Sequence, residues 1–358
     1  MFRTTGVPIP ALRGHQGGRT FYLTLPTNKV LNNFFPRDME TDPASVRSQR
    51  PYDPNRAKQI GQYMADNEDE YVLGALTYAM DVPGSFTEVE PGSDIGVLTI
   101  PLDARLRSTD GQHRRGGIKD ALDAAEKLGS DHTALLIYVE PDLQKRRQMF
   151  SDMNWHQKPV SKSVNVGFDR RDPFARVTQR LVSENPLLQD RVETERASVG
   201  WSSEKLFTQG AIYDALSRCV AGVGGRVRNR DRWEDRDDEL FKIGTDFFDM
   251  LVLARGEFAQ IVRGESTAPQ VRADSILVSS TTLRAIAGAY FLARRAGFAA
   301  GDLVTGLSLL DFSPKNRQWQ KIGFVTPGRS TPNARLQEVK AATEMIAGAI
   351  IPTSGEDT

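Results

Sequence analysis

Five consecutive residues, Asp110-Gly111-Gln112-His113-Arg114, gather an acid, a glycine, an amide, an imidazole and a guanidinium. Such a run fills a core poorly and suits the grip of an anion. Asp110 reads as a helix N-cap, and Gly111 lets the backbone turn sharply and approach a ligand. The N–H groups of a new helix then face that ligand, and the positive end of the helix favours negative charge. Arg114 adds a planar fork matched to phosphate. His113 alone in the motif titrates near neutral pH and could move a proton to or from an attacking water. The alternative is a fixed hydrogen bond to a backbone carbonyl. An ordinary capped helix with a solvated first turn remains the competing account of the whole run.

The elements around the motif fit that use. Ala104 to Thr109 reads as a strand and Ile118 to Leu128 as a helix, so the five residues sit at a strand-to-helix turn. Further strands are expected at Phe21 to Leu25, Tyr71 to Met80, Ile95 to Ile100 and Ala134 to Val139. Thr27 to Phe35 reads as a helix stopped by Pro36. Pro54 to Met64 reads as a helix with Asp53 as N-cap and proline at its first position. Residues 37–51 read as an exposed loop. Asp142 to Met153 reads as a charged helix, and Lys145-Arg146-Arg147 as a basic cluster on its surface face. It leads to Asn154-Trp155-His156-Gln157-Lys158-Pro159, where a helix cap with a packed tryptophan is the plain reading.

From about residue 166 the pattern becomes helical: Phe174 to Val182, Glu204 to Ala221, Asp246 to Val262, Ala273 to Arg295, Asp302 to Leu310 and Arg335 to Ile350. Gly222-Val223-Gly224-Gly225 lacks the lysine of a phosphate-binding loop and reads as a helix end. It is followed by Arg226, Arg228, Arg230 and Arg232, alternating as on one face of an extended arm that could track a phosphate backbone. The acids from Glu234 to Glu239 offset that charge, so a salt-bridged loop competes with the arm. The expectation is α+β: a mixed α/β domain over residues 1–165 and a mainly helical domain over 166–358.

Composition sets limits. The chain has 358 residues with 46 basic and 46 acidic side chains, so no global field steers it to nucleic acid and any such binding needs a local patch. Its one cysteine, Cys219, excludes an internal disulfide and a cysteine-ligated iron–sulfur cluster. The four histidines, His15, His113, His132 and His156, show no metal-ligand spacing, so no zinc is expected. No apolar leader or spanning stretch is seen, which suits a cytoplasmic protein without a membrane partner.

The run Arg107-Ser108-Thr109-Asp110-Gly111-Gln112-His113-Arg114 resembles the signature of the DGQHR-domain family. The best-known members of that family, the DndB proteins, are associated with DNA phosphorothioate modification. Arg56-Ala57-Lys58-Gln59-Ile60 with Tyr71 to Leu76, and Phe150 to Asn154 with Lys158-Pro159-Val160, look like the family's other segments. Glu204 to Thr208 and Trp319 also fit, so the resemblance covers most of the chain. More remotely, the strand–Asp-Gly–helix arrangement looks like the ParB/sulfiredoxin fold, whose members hold nucleotide phosphates at this helix start. The DGQQR domains of some modification-dependent restriction systems are similar. Sulfiredoxins carry a reactive cysteine where this chain has Gln112, so phosphate binding transfers and sulfinic-acid chemistry does not.

The resemblance implies a DNA-binding transcriptional regulator or accessory protein of a phosphorothioation system, acting on the promoter of its own modification operon. Its partners would be double-stranded DNA and the other phosphorothioation proteins, and a palindromic site would call for a homodimer. The ligand would be ATP or CTP with Mg²⁺. Arg114 and the Gly111 and Gln112 N–H groups would hold phosphate, with Arg56, Asn154 and Lys158 approaching, and Asp110 holding Mg²⁺ or orienting Arg114. Arg115 is expected to face solvent. The alternative is a nucleoside triphosphatase acting on DNA and coupled to nicking during modification, with Asp110, His113 and Arg114 as its catalytic residues. A third reading is an interaction subunit that keeps a nucleotide pocket as a folding element.

Overall fold

The computed structural model describes residues 6–35, 51–155, 160–225, 227 and 230–351. The chain forms two compact units, residues 1–158 and 159–358. The loop expected over residues 37–51 lies outside the described residues except at Pro51.

The first unit is built on a seven-stranded sheet. Its strands are β1 (Gly6–Gln16), β2 (Arg19–Thr24), β3 (Leu76–Met80), β4 (Ser85–Glu88), β5 (Ile95–Pro101), β6 (Leu106–Asp110) and β7 (Leu135–Val139), in the order β4-β5-β1-β2-β7-β3-β6. Neighbours are antiparallel except β3 and β7, which are parallel. Helices α1 (Asn28–Phe34), α2 (Pro54–Asp66) and α3 (Gln112–Ala124) bury Leu31, Met64, Ile118 and Ala121 in one core with Leu76, Tyr78, Leu98 and Ile137 of the sheet. Helix α4 (Leu143–Trp155) follows β7.

Two differences from the sequence reading have simple causes. Strand β1 carries Pro8 and Pro10, which argue against a central strand, yet it lies between β5 and β2. Its pairing with β2 runs only from Leu12 to Gln16, so both prolines lie where β5 is the sole paired neighbour and a missing N–H breaks no second ladder. Strand β3 starts at Leu76, not Tyr71. Tyr71 instead donates its hydroxyl to Asp131 Oδ2 at 2.8 Å, and burial with this bond pushes its pKa up to about 12.

The second unit is helical. Its helices are α5 (Lys162–Phe168), α6 (Pro173–Glu184), α7 (Gln209–Ala221), α8 (Asp237–Ala254), α9 (Gly256–Val262), α10 (Ala268–Asp274), α11 (Ser280–Arg295), α12 (Ala300–Ser308), α13 (Arg317–Lys321) and α14 (Leu336–Ile350). A two-stranded parallel pair, Val192–Glu193 with Phe207–Thr208, precedes α7. Two helices expected as continuous are broken. Gly256 starts a new helix after Arg255, and residues 275–279 separate α10 from α11 while still burying Ile276. The fold is therefore α+β, with the sheet in the first unit and helices dominating the second.

Helices α2 and α3 touch through glycines. A Cβ on Gly117 would fall 2.6 Å from Ile60 Cβ and 3.0 Å from the Ala57 carbonyl. A Cβ on Gly61 would fall 2.8 Å from Asp120 Cβ. A branched side chain has no room there. Gly117→Val is expected to destabilise the protein by about 1–3 kcal/mol through overpacking, read as a lower urea midpoint.

Candidate functional site

Strand β6 ends at Asp110, and Gly111 makes the turn into α3 with φ of 95° and ψ of 14°. That left-handed geometry favours glycine, and a Cβ there would also sit 2.5 Å from Leu76 Cδ2. Gly111, not Asp110, is the N-cap of α3, and as a glycine it brings no capping side chain. Asp110 is still a strand residue, and its carboxylate is drawn to Arg114 instead, at 2.5 Å from Nη2. Both side chains remain partly exposed. A second glycine shapes the site: a Cβ on Gly74 would meet Arg114 Nη1 at 2.5 Å. Gly74 and Gly111 thus leave the space in which the guanidinium lies.

Helix α2 comes alongside with its own N-terminus at the same end. The Asp53 N–H donates to His113 Nε2 at 3.0 Å, and the Tyr52 ring stacks on the imidazole at 5.5 Å. Further on, Ala57 packs against Gly116, Ile60 against Gly117 and Gly61 against Asp120. Residue numbers rise together along the contact, so the helices run parallel and their positive ends are neighbours. Each end carries roughly half a positive charge, so the pair favours an anion between them. Asp53, the N-cap of α2, and Asp110 supply the negative charge the chain itself provides. Arg56, in the first turn of α2, is exposed at this end.

The position of His113 bears on its chemistry. It is 7% exposed, and its Nε2 accepts a backbone N–H, so that nitrogen carries no proton. At Nε2 the described partner is a backbone donor, Asp53 N–H, not a carbonyl. Gln112 is buried beside it. Arg115 was expected in solvent and is 3% exposed. Its guanidinium donates to the Phe35 carbonyl at 3.0 Å, the Asn32 carbonyl at 3.0 Å and Asn32 Oδ1 at 3.1 Å. Adjacent residues on a helix do point apart, but α3 is covered on more than one side.

The family model for DndB, described as DNA-sulfur modification-associated, matches residues 9–351. The chain belongs to this family. Membership ties it to a DNA phosphorothioation system. No curated protein and no solved structure matches the chain, so the ParB/sulfiredoxin likeness rests on the motif and its strand–glycine–helix setting.

Other residues singled out from the sequence of this DndB-family chain lie elsewhere. Asn154 donates its amide to the Phe150 carbonyl of its own helix at 2.8 Å. Trp155 is 80% exposed, not packed. Lys158 lies outside the described residues, as do Arg226 and Arg228. Residues Arg230–Trp233 form a 3-10 turn, so the extended alternation does not reach Arg230 and Arg232. The turn is held by Trp233, whose ring meets Phe174 edge-on at 5.9 Å, while Arg232 is exposed. In the Lys145-Arg146-Arg147 cluster, Arg146 is 9% exposed and donates to the Glu140 and Pro141 carbonyls at 2.9 and 2.7 Å. Burial, with Arg107 nearby, lowers its pKa. Cys219 is buried in α7, and burial pushes its thiol pKa up, away from the reactive thiolate.

Among the described residues no three His, Cys, Asp or Glu side chains converge on a metal position. Among them, too, no helix is long and apolar enough to cross a membrane. Sequence reasoning missed Gly74 and Tyr52 as parts of the site, and the role of Asp53 beyond capping. The Asp53-Pro54 start was visible, but nothing local marks its contact sixty residues away.

Neighbouring arginines should therefore respond differently. Arg115→Met leaves buried carbonyls unsatisfied, at about 1–3 kcal/mol for each group. Arg114→Ala removes a partly exposed ion pair worth about 0–1 kcal/mol. Thermal melts of the two variants should show a large fall for the first and little change for the second.

Proposed function

We propose that this protein is a DNA-binding regulator or accessory protein of a DNA phosphorothioation system that binds nucleotide phosphates where β6 meets α3. The observation that carries the phosphate reading is the side-by-side pair of parallel helix N-termini, with a glycine at the N-cap of α3 and Arg114 cradled at the rim by Gly74 and Gly111. Family membership supports the DNA side of the reading.

In this reading a phosphate takes the place of the Asp110 carboxylate on Arg114, and first-turn N–H groups of α3, with that of Gly111, donate to its oxygens. Asp110, released from Arg114, becomes available to the Mg²⁺ that accompanies ATP or CTP. Arg56 meets the phosphate tail from the first turn of α2. His113 acts as a positioning residue that joins the two helix starts. Asn154 and Lys158 are assigned no part. A purely structural pocket in an interaction subunit would not call for a partly exposed guanidinium held in a glycine cradle.

Hydrolysis is the second reading, and the His113 geometry weighs against this residue as its base. Proton uptake at Nε2 would break the bond that holds Asp53, so catalysis would need another group to activate water. The test is equilibrium binding of Mg-ATP and Mg-CTP to wild type and Arg114→Ala, with phosphate release followed with and without duplex DNA. Loss of one charge-assisted contact should weaken binding by about 1.5–3 kcal/mol, roughly tenfold to a hundredfold. Equal binding by both proteins, or none by wild type, overturns the phosphate site. Phosphate release that vanishes in Arg114→Ala would make the protein a nucleoside triphosphatase instead.

A further inference from the structure

The zero net charge of the chain hides a strongly uneven distribution. Between Ser313 and Thr343 stand Lys315, Arg317, Lys321, Arg329, Arg335 and Lys340, with Glu338 the single acid. All six cations are exposed. Elsewhere in the helical unit several surface cations are matched to carboxylates, Arg176 to Asp237, Arg180 to Asp238, Lys242 to Asp246 and Arg263 to Glu265, while the exposed Arg294 and Arg295 lie over the Tyr290 and Phe291 rings and Arg196 is exposed without an ion pair to a described residue. In this segment only Arg335 approaches an acid, Glu338, at 3.9 Å. Lys315, Arg317, Lys321, Arg329 and Lys340 form no ion pair with a described residue. What sets this segment apart is the concentration of six exposed cations against one acid, which leaves a net positive charge there.

The segment is rigidly mounted. Trp319 is fully buried and donates Nε1 to the Asp311 carbonyl at 2.7 Å, which fixes α13 with Arg317 and Lys321 on it. Phe324 and Val325 are buried next. A bridge between Val325 and Pro332, with the Asn333 N–H on the Phe324 carbonyl at 2.7 Å, closes a short loop. Gly328 turns its tip at a φ of 80°, and the exposed Arg329 follows.

The basic segment also reaches Gly224 and Gly225 at the end of the loop after α7. A Cβ on Gly323, just after α13, would sit 3.6 Å from Glu338 Cγ, so the end of α13 abuts the first turn of α14. A Cβ on Gly224 would sit 3.1 Å from Lys340 Cε, so α14 in turn flanks the end of that loop. Arg218 pins it by donating to the Gly225 carbonyl at 2.7 Å.

We infer that the exposed cations from Lys315 to Lys340 form a binding surface for the sugar-phosphate backbone of duplex DNA, which extends along α14 to Gly224. The inference rests on the DNA-binding reading above and gives it a location that the sequence reading did not contain. The composition favours a nucleic acid over an acidic protein. Protein–protein interfaces are depleted in lysine and centred on buried aromatics, whereas DNA-contacting surfaces are strongly positive and polar. Here three of the six cations are lysines, the aromatics point into the core, and Leu336 is the one exposed large apolar side chain in the segment. Backbone contacts of this kind position a protein and carry no sequence information.

The test compares two triple variants of the full chain. One carries Arg317→Gln, Lys321→Gln and Arg329→Gln. The control carries Lys162→Gln, Lys242→Gln and Arg263→Gln, which removes the same charge from paired positions. Binding of a fluorescein-labelled duplex of arbitrary sequence is measured across a salt series, with circular dichroism melts as a check on folding. The first variant should bind more weakly and lose about 0.9 from the slope of log K against log salt for each phosphate contact removed. The control should keep the wild-type slope. Wild-type binding that the first variant retains, or that both variants lose equally, overturns the surface and leaves the DNA-binding reading standing. No duplex binding by wild type overturns both. Polyglutamate bound as tightly as the duplex overturns the assignment to DNA.

Discussion

The contact between α2 and α3 is the constraint on which the rest of the site depends. Glycines at 61, 116 and 117 let two helix backbones approach closely, and the approach is parallel. Parallel packing sets two positive helix ends side by side, which is unfavourable without compensating negative charge. The chain supplies Asp53 and Asp110, one at each helix start. His113 then locks the ends together by accepting the Asp53 N–H while Tyr52 covers its ring. Close packing, helix polarity and the motif are consequences of one arrangement.

Within that arrangement the two arginines of α3 divide the work. Arg115 turns inward and ties α3 to the end of α1 through the carbonyls of Asn32 and Phe35. Arg114 turns outward over Gly74 and, among the described residues, pairs with Asp110. One guanidinium closes the fold and the other stays partly exposed. Such a division needs both to be arginine: a lysine in place of Arg115 could not serve the same carbonyls with a planar fork.

Much of this was legible where the determinants are local. The Asp53-Pro54 start of α2 was readable because capping chemistry lies within four residues, and the strand–glycine–helix turn was readable from Gly111. Asp110 was misassigned as a cap because an acid before a helix usually serves one. Here the glycine takes the cap position and the carboxylate is drawn one helical turn forward to Arg114. The burial of Arg115 was not legible, because spacing along one helix says nothing about how many neighbours surround it. Strand β1 was hidden by Pro8 and Pro10, which matter less where a strand has one paired neighbour. In the second unit the alternating arginines drew attention, while the acid-free stretch before α14 did not. Only the pattern of ion pairs in the folded unit distinguishes cations that are matched from cations that are not.

The energetics of the Asp110–Arg114 pair explain why a self-made ion pair is compatible with a binding site. A carboxylate and a guanidinium that both see solvent stabilise each other by about 0–1 kcal/mol. A phosphate brings more charge and more acceptor oxygens, and it would lie on the line of two helix ends, where Asp110 does not contribute as a cap. In the proposed reading, exchange of the carboxylate for a phosphate would therefore cost little. Asp110 holds Arg114 over Gly74, which in the proposed reading would lower the entropy lost on binding a ligand. In that reading the internal pair would serve as preorganisation, orienting the guanidinium while being too weak to retain it against a better anion.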